Sequence, residues 1–239
     1  MKTKHILEDT SKRTYPLPDR NWSYYQQWHD TTFLHWRIPA EKIQELLPPG
    51  LKTDIFEDNA WVSLVAFEVK KMCVHYLPPF PYISKFKEIN VRTYVIRDGI
   101  RGIYMFSIET DKLIEVLLTR TFIGLPYLKS NIEKNNNSFF SSNRTHKFFL
   151  DISFQPAGLP VGKSKLDIWL TERHALYNYK HGKLYRHDIH HKEWNLKEAV
   201  ISVWDLEYNF ENLSLTVNPE KIHFSKKIEV LLWNRIIIV

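Results

Sequence analysis

The sequence predicts a mainly β protein with a few short helices: an antiparallel sheet curled into a barrel or sandwich, with helices at its ends. Three observations carry this reading. Short runs rich in Val, Ile, Thr and aromatics recur along the chain. Asp98-Gly99 and His181-Gly182 stand between such runs, where hairpin turns belong. No helical pattern is long enough for a series of parallel crossovers, so antiparallel neighbours should dominate.

In chain order, residues 1–20 read as a polar leader in which Pro16 and Pro18 block a helix. Residues 21–239 read as one domain. Thr32 to Ile38 is a strand. Pro39 then opens a short helix over 40–47, where Ile43, Leu46 and Leu47 recur at helical spacing. Pro48, Pro49 and Gly50 stop it. Residues 60–71 and 88–97 have strand composition, and 101–109 return from the Asp98-Gly99 turn as a partner strand. Residues 111–123 fit a helix, with Leu113, Ile114, Leu117 and Leu118 on one side. Residues 133–146 form the most loop-like stretch and admit a domain boundary. A strand follows over 146–154. Ser164 caps a short helix running to Arg173. ALYNY and KLYRHDIHH form a hairpin, and SLTVNP, KKIEVLLW and RIIIV supply the last strands. The sum is about ten strands and three short helices.

Composition narrows the function. Of 239 residues 44% are hydrophobic and 14% aromatic, enough for a substantial core and against disorder. Only 7 are glycine, and neither the P-loop nor the dinucleotide-binding fingerprint occurs. The net charge of +6 is spread along the chain rather than gathered in a basic stripe, so nucleic acid is not the expected partner. Cys73 is the only cysteine, which excludes an intramolecular disulfide or a multi-cysteine zinc site, and it reads as a buried, inert thiol. No signal-peptide pattern and no membrane-length apolar run occurs, so a cytoplasmic protein with no membrane partner is expected. A homo-oligomer is compatible with all of this.

The strongest candidate residues lie in FKEINVRTYV (86–95). On a strand, Glu88, Asn90, Arg92 and Tyr94 share one face and Ile89, Val91, Thr93 and Val95 the other. The polar face is either wet surface or the lining of an interior. Arg120, at the end of the helix expected over 111–123, has a structural reading as a favourable C-terminal cation. In HDIHH, His187 and His191 share a face and His190 takes the other. A metal there would need a further ligand such as His223, Glu172 or Asp188, and none is expected. There is no H-E-x-x-H and no G-x-S-x-G.

The ordered set FLHW (33–36), LLPPGL (46–51), FKEINVRTYV, GLPY (124–127), LTER (170–173), IHHKEWNL (189–196) and HFS (223–225) resembles the YqjF-like family of domain-of-unknown-function proteins, over Trp28 to Trp233. That family is similar, more remotely, to the acetoacetate decarboxylase superfamily. The resemblance implies an antiparallel β-barrel with a central polar cavity. It places Arg37 at a cavity arginine, Glu68 and Glu88 at two cavity glutamates, Arg120 at a conserved-motif arginine and Pro126 at the proline of the Pro-Lys-Lys motif. Tyr127 and Leu128 then occupy both lysine positions. A phenol cannot condense with a ketone, so the Schiff-base route is not expected and no cofactor is implied. Lys129, two residues on, could face the same way on an extended segment.

The expectation is therefore a cavity protein that binds a small anionic organic molecule. Arg37, Glu68, Asn90, Arg92 and Arg120 would be ligand contacts, with Glu88 and Tyr127 at the chemical centre. The alternative is an enzyme of lyase or hydrolase type, using Glu88 as general acid/base and Tyr127 as proton donor. A nucleic-acid-binding role resting on the +6 charge is a third, weaker reading.

Overall fold

The structure is a computed structural model and describes residues 3–79, 84–113, 125–157, 162–216 and 218–238. The helix expected over 111–123 falls almost wholly outside them, as does Arg120.

The fold is mostly β. The long strands are β1 (Tyr24–Ile38), β3 (Ala60–Val74), β4 (Phe86–Arg97) and β5 (Ile100–Thr110), with the two-residue β2 (Lys52–Thr53) set beside β4. Then come β6 (Tyr127–Lys129), β7 (Asn131–Asn135), β8 (Ser138–Asn143) and β9 (Phe148–Ala157). The chain ends with β10 (Ala175–Lys180), β11 (Lys183–His191), β12 (Lys197–Phe210), β13 (Leu213–Leu215), β14 (Lys221–Leu232) and β15 (Ile236–Ile238). Three short helices are α1 (Lys4–Leu7), α2 (Ala40–Leu46) and α3 (Lys165–Thr171).

The turns obey their residues. Asp98 and Gly99 take φ of 49° and 76°, and His181 and Gly182 take 51° and 74°, the paired left-handed geometry that matches strand twist in a tight hairpin. Ser164 and Asp167 form a complete capping box at α3. Antiparallel pairing dominates, but β5 runs parallel to both β6 and β10. At the β5–β10 contact a Cβ on Gly102 would sit 2.6 Å from the Ala175 carbonyl oxygen, so only glycine fits that approach.

The pairing order β11-β10-β5-β4-β3-β1-β14 returns to its start, because β11 also pairs with β14 at Ile189–Leu232, His190–Leu231 and His191–Val230. From β14 a second arm continues through β12, β9, β8 and β7. Both faces of the shared strands are therefore buried. On β4, Ile89 and Val91 pack with Leu34, Val62 and Leu64 toward the second arm and α2. Phe86 and Tyr94 pack on the opposite face with Phe33, Val65, Phe67 and Trp194.

Two sequence expectations need correction. Residues 133–146 are not a loop: β7 and β8 form a hairpin through Asn136, φ 39°. β7 is the last strand of the arm, so polar residues suit its open side, and burial of Ile132, Phe139 and Ser141 holds the hairpin on the sheet. Residues 197–210, to which no strand was ascribed, form β12, which pairs with β9 over most of its length. The stretch read as a polar leader is packed. Ile6 is buried among Tyr25, Cys73 and Trp233, the Arg13 guanidinium donates to the Ile189 carbonyl at 2.7 Å, and the Tyr15 hydroxyl donates to the His174 carbonyl. No helix among the described residues is long and apolar enough to cross a membrane.

Candidate functional site

Strand alternation sorts the residues of β4 onto the two faces that the sequence suggested. Glu88, Asn90, Arg92 and Tyr94 all point to the same face of β4 and all are buried, at 6%, 2%, 6% and 0% exposure. The wet-surface reading of this face is therefore excluded. Tyr127 arrives from β6, which lies parallel to β5 with Tyr127 opposite Ile108. Its hydroxyl donates to Glu88 Oε2 at 2.8 Å, while the Asn90 side-chain amide donates to Glu88 Oε1 at 3.1 Å.

Burial is the dominant electrostatic influence on Glu88 and raises its pKa to about 7, against the opposing pull of the Tyr127 and Asn90 hydrogen bonds and the Arg92 charge. A carboxyl with that pKa both gives and takes a proton near neutrality. Arg92 is buried beyond it, with Cζ 5.6 Å from the centre of the Phe33 ring and Nε unpartnered among the described residues.

Glu88 and Tyr127 help line a cavity of about 50 Å³. Gln26 and His187 are the other strongly polar walls; Met72, Phe86, Met105, Ile108, Leu176 and Leu232 supply most of the rest. No lysine or arginine lines it among the described residues.

Two of the expected ligand contacts lie elsewhere. Arg37 has the right parity, since its partner Trp61 packs on the Glu88 face, but it sits at the far end of β1. Trp61 lies six positions along β3 from the Glu88 partner Phe67, roughly 20 Å at the usual rise per residue. The Arg37 side chain is half exposed and pairs with Glu220 at 3.3 Å. Glu68 has the wrong parity. It lies opposite Lys87, one residue out of phase with Glu88, and pairs with Lys70 at 2.9 Å and Lys85 at 3.2 Å. Lys129 is exposed, and its ammonium donates to the Ser130 carbonyl at 2.8 Å rather than entering the cavity.

A second buried polar chain runs from the same face of β4. Ser63 Oγ lies 2.6 Å from the Tyr94 hydroxyl and 2.7 Å from His35 Nδ1. His35 Nε2 lies 3.1 Å from His223 Nδ1, and His223 Nε2 3.0 Å from Asp167 Oδ1. Lys221 closes the chain on Asp167 at 2.6 Å. Burial holds His35 far below the usual histidine range, so it is neutral. Ser63 is completely enclosed, which denies it a role as a nucleophile. Of these residues the sequence singled out only Tyr94, by its face on β4, and His223, as one possible further ligand for a metal. FLHW and HFS carried two of them, but only the fold brings β1, β3, β14 and α3 together.

Glu172, His174 and His191 each bring one ligand atom within 4.8 Å of the others. The grouping fits a metal poorly. Lys163 already places its ammonium 2.8 Å from the Glu172 carboxylate, a cation standing where the metal's charge would go, while the His191 Nδ1 bond to the Lys192 carbonyl at 2.8 Å leaves only Nε2 of that ring as a ligand atom.

Comparison with known proteins agrees with this architecture. The uncharacterized protein YqjF of Bacillus subtilis strain 168 is 35% identical over 240 residues, covering 95% of this chain and 98% of that protein. An acetoacetate decarboxylase-like enzyme from Sphingomonas wittichii RW1 superposes with a TM-score of 0.61 at 12% identity, over 95% of this chain and 97% of that one. The enduracididine biosynthesis enzyme MppR, complexed with pyruvate, superposes with a TM-score of 0.59 at 10% identity, over 94% and 93%. At such low identity the two solved structures establish a shared fold. The model of the DUF2071 family, described as uncharacterized conserved proteins, matches residues 25–229, and together with the YqjF likeness this establishes that the chain belongs to that family.

Proposed function

We propose that this protein is a β-barrel container that binds one small organic molecule, without a covalent bond, at the Glu88–Tyr127 pair. The hydrogen bond between those side chains on the cavity wall is the observation that carries the reading. The circular strand order supports a barrel. The similar structure of MppR is a complex with pyruvate, which supports a small oxygenated molecule as the class of occupant.

The anionic ligand expected from the sequence narrows on this geometry. Arg37 is remote, and the described walls carry no cation to pair with a carboxylate. A carboxylate could enter only by sharing the proton of Glu88, whereas an uncharged carbonyl compound needs only the protonated carboxyl as donor. We therefore favour a small uncharged oxo compound. The pKa of Glu88 near neutrality supports acid–base turnover of such a molecule as the second reading. A cytoplasmic setting, with neither nucleic acid nor membrane as partner, is part of the proposal.

The test is binding of butanone and of acetoacetate, followed by changes in the backbone amide spectrum. Glu88→Gln and Tyr127→Phe should each shift the affinity for butanone about tenfold or more, as loss of one buried hydrogen bond does. Arg37→Ala should leave it unchanged. Binding that depends on Arg37 and ignores Glu88 would overturn the assignment.

A further inference from the structure

His187 stands on the wall of the same cavity, supplied by β11 rather than by β4 or β6. It is 3% exposed, and its Nε2 has no hydrogen-bond partner among the described residues. The backbone of Trp233 acts on the ring as an acceptor would, pulling its pKa upward. With the ring proton assigned to Nδ1, Nε2 keeps a bare lone pair. Burial lowers the imidazole pKa to about 4, so the ring is neutral across the physiological range. A buried acceptor without a donor is costly and is rare in folded proteins.

The cavity thus has two chemically opposite walls. Glu88, with Tyr127 hydrogen-bonded to it, offers an exchangeable proton. His187 offers only a lone pair. The remaining described walls are largely apolar.

We propose that His187 Nε2 is the acceptor for a hydroxyl or N–H group of the bound molecule, so that the occupant is a small uncharged hydroxy- or amino-carbonyl compound spanning from Glu88 to His187. This rests on the cavity proposed above as the binding site and goes further, since it names a second anchoring residue and the donor that the ligand must carry. A hydroxyl brought against that nitrogen would supply the missing donor, but a methyl group cannot. A site built around a buried acceptor therefore rejects the analogue that lacks the donor.

Hydroxyacetone and butanone make the test, because they differ by a hydroxyl in place of a methyl. Affinities are measured for the wild-type protein, His187→Leu and Glu88→Gln, together with the ¹⁵N resonances of His187 in the wild type. Hydroxyacetone should bind the wild type about tenfold or more tighter than butanone. His187→Leu should abolish that preference while still binding butanone, and Glu88→Gln should keep the preference while weakening both. The His187 Nε2 resonance should move on adding hydroxyacetone and stay in place with butanone, a readout that needs no variant. Equal affinity for the two ketones, or a preference that survives His187→Leu, overturns the role of His187 and leaves the cavity reading standing. Failure of both ketones to perturb residues of the cavity overturns that reading, and this inference with it.

Discussion

Replacing Glu88 by glutamine should make the protein relatively more stable as the pH rises. The carboxyl has an ordinary pKa of 4.5 in the unfolded chain and about 7 when buried in the fold. A raised pKa means that the folded state holds its proton more tightly than the unfolded state does. Below pH 4.5 both states are protonated and Glu88 exacts no penalty. Between 4.5 and 7 the unfolded chain loses the proton first, so stability falls with rising pH, and above 7 the loss is complete. The interval of about 2.5 pH at 1.36 kcal/mol each amounts to about 3 kcal/mol. Glu88→Gln keeps an oxygen to accept from Tyr127 and cannot ionise. Urea unfolding of both proteins, followed by tryptophan fluorescence from pH 4 to 9, isolates this contribution, because every other titrating group cancels in the difference. The stability of the variant minus that of the wild type should climb by about 3 kcal/mol between pH 4.5 and 8 and then level off. A flat difference, or one that falls, would show that Glu88 is ionised in the fold and would remove the basis for its role as a neutral-pH acid.

Two further outcomes follow from particular contacts. Borohydride reduction in the presence of acetoacetate should leave the intact mass of the protein unchanged, because Tyr127 is a phenol and the Lys129 ammonium is exposed and held on the Ser130 carbonyl; a reduced adduct on Lys129 would restore covalent chemistry to the site. Gly102→Ala should lower stability by more than about 2 kcal/mol in a denaturant titration, since its new Cβ would lie 2.6 Å from a backbone oxygen that cannot swing away; a change under about 0.5 kcal/mol would mean that β5 and β10 are not in that register.

Much of the fold was legible because local chemistry and global packing agree. Asp98-Gly99 and His181-Gly182 both demand left-handed turns and both receive them. Alternation in FKEINVRTYV sorts two faces correctly even though each is buried, one against hydrocarbon and one around charge. The failures have physical causes. The β7–β8 hairpin hides in Asn and Ser because backbone pairing with β9 holds it, and hydrogen bonds along a ladder leave no mark on composition. Glu68 was assigned by resemblance to aligned positions, and a shift of one residue on a strand moves a side chain through the sheet. Arg37 failed on distance along the strand, a quantity that strand parity ignores. His187 was placed on the same face as His191, but an unpartnered nitrogen is a property of the surroundings that no spacing reveals.

The polar face of β4 also argues about purpose. Glu88 costs stability at neutral pH by the reasoning above, and Asn90 Oδ1 and Arg92 Nε are buried there without partners among the described residues. A core selected for stability alone would fill these positions with hydrocarbon, which packs as well and desolvates nothing. The neighbouring face of the same strand is built that way, with Ile89 and Val91 at 0% exposure among leucines and valines. One strand therefore carries two opposite solutions to burial, only one of which is explained by folding. The other gathers ionisable and unpartnered groups behind a cavity wall on which Glu88 itself stands, where a bound molecule meets a carboxyl able to give or take a proton.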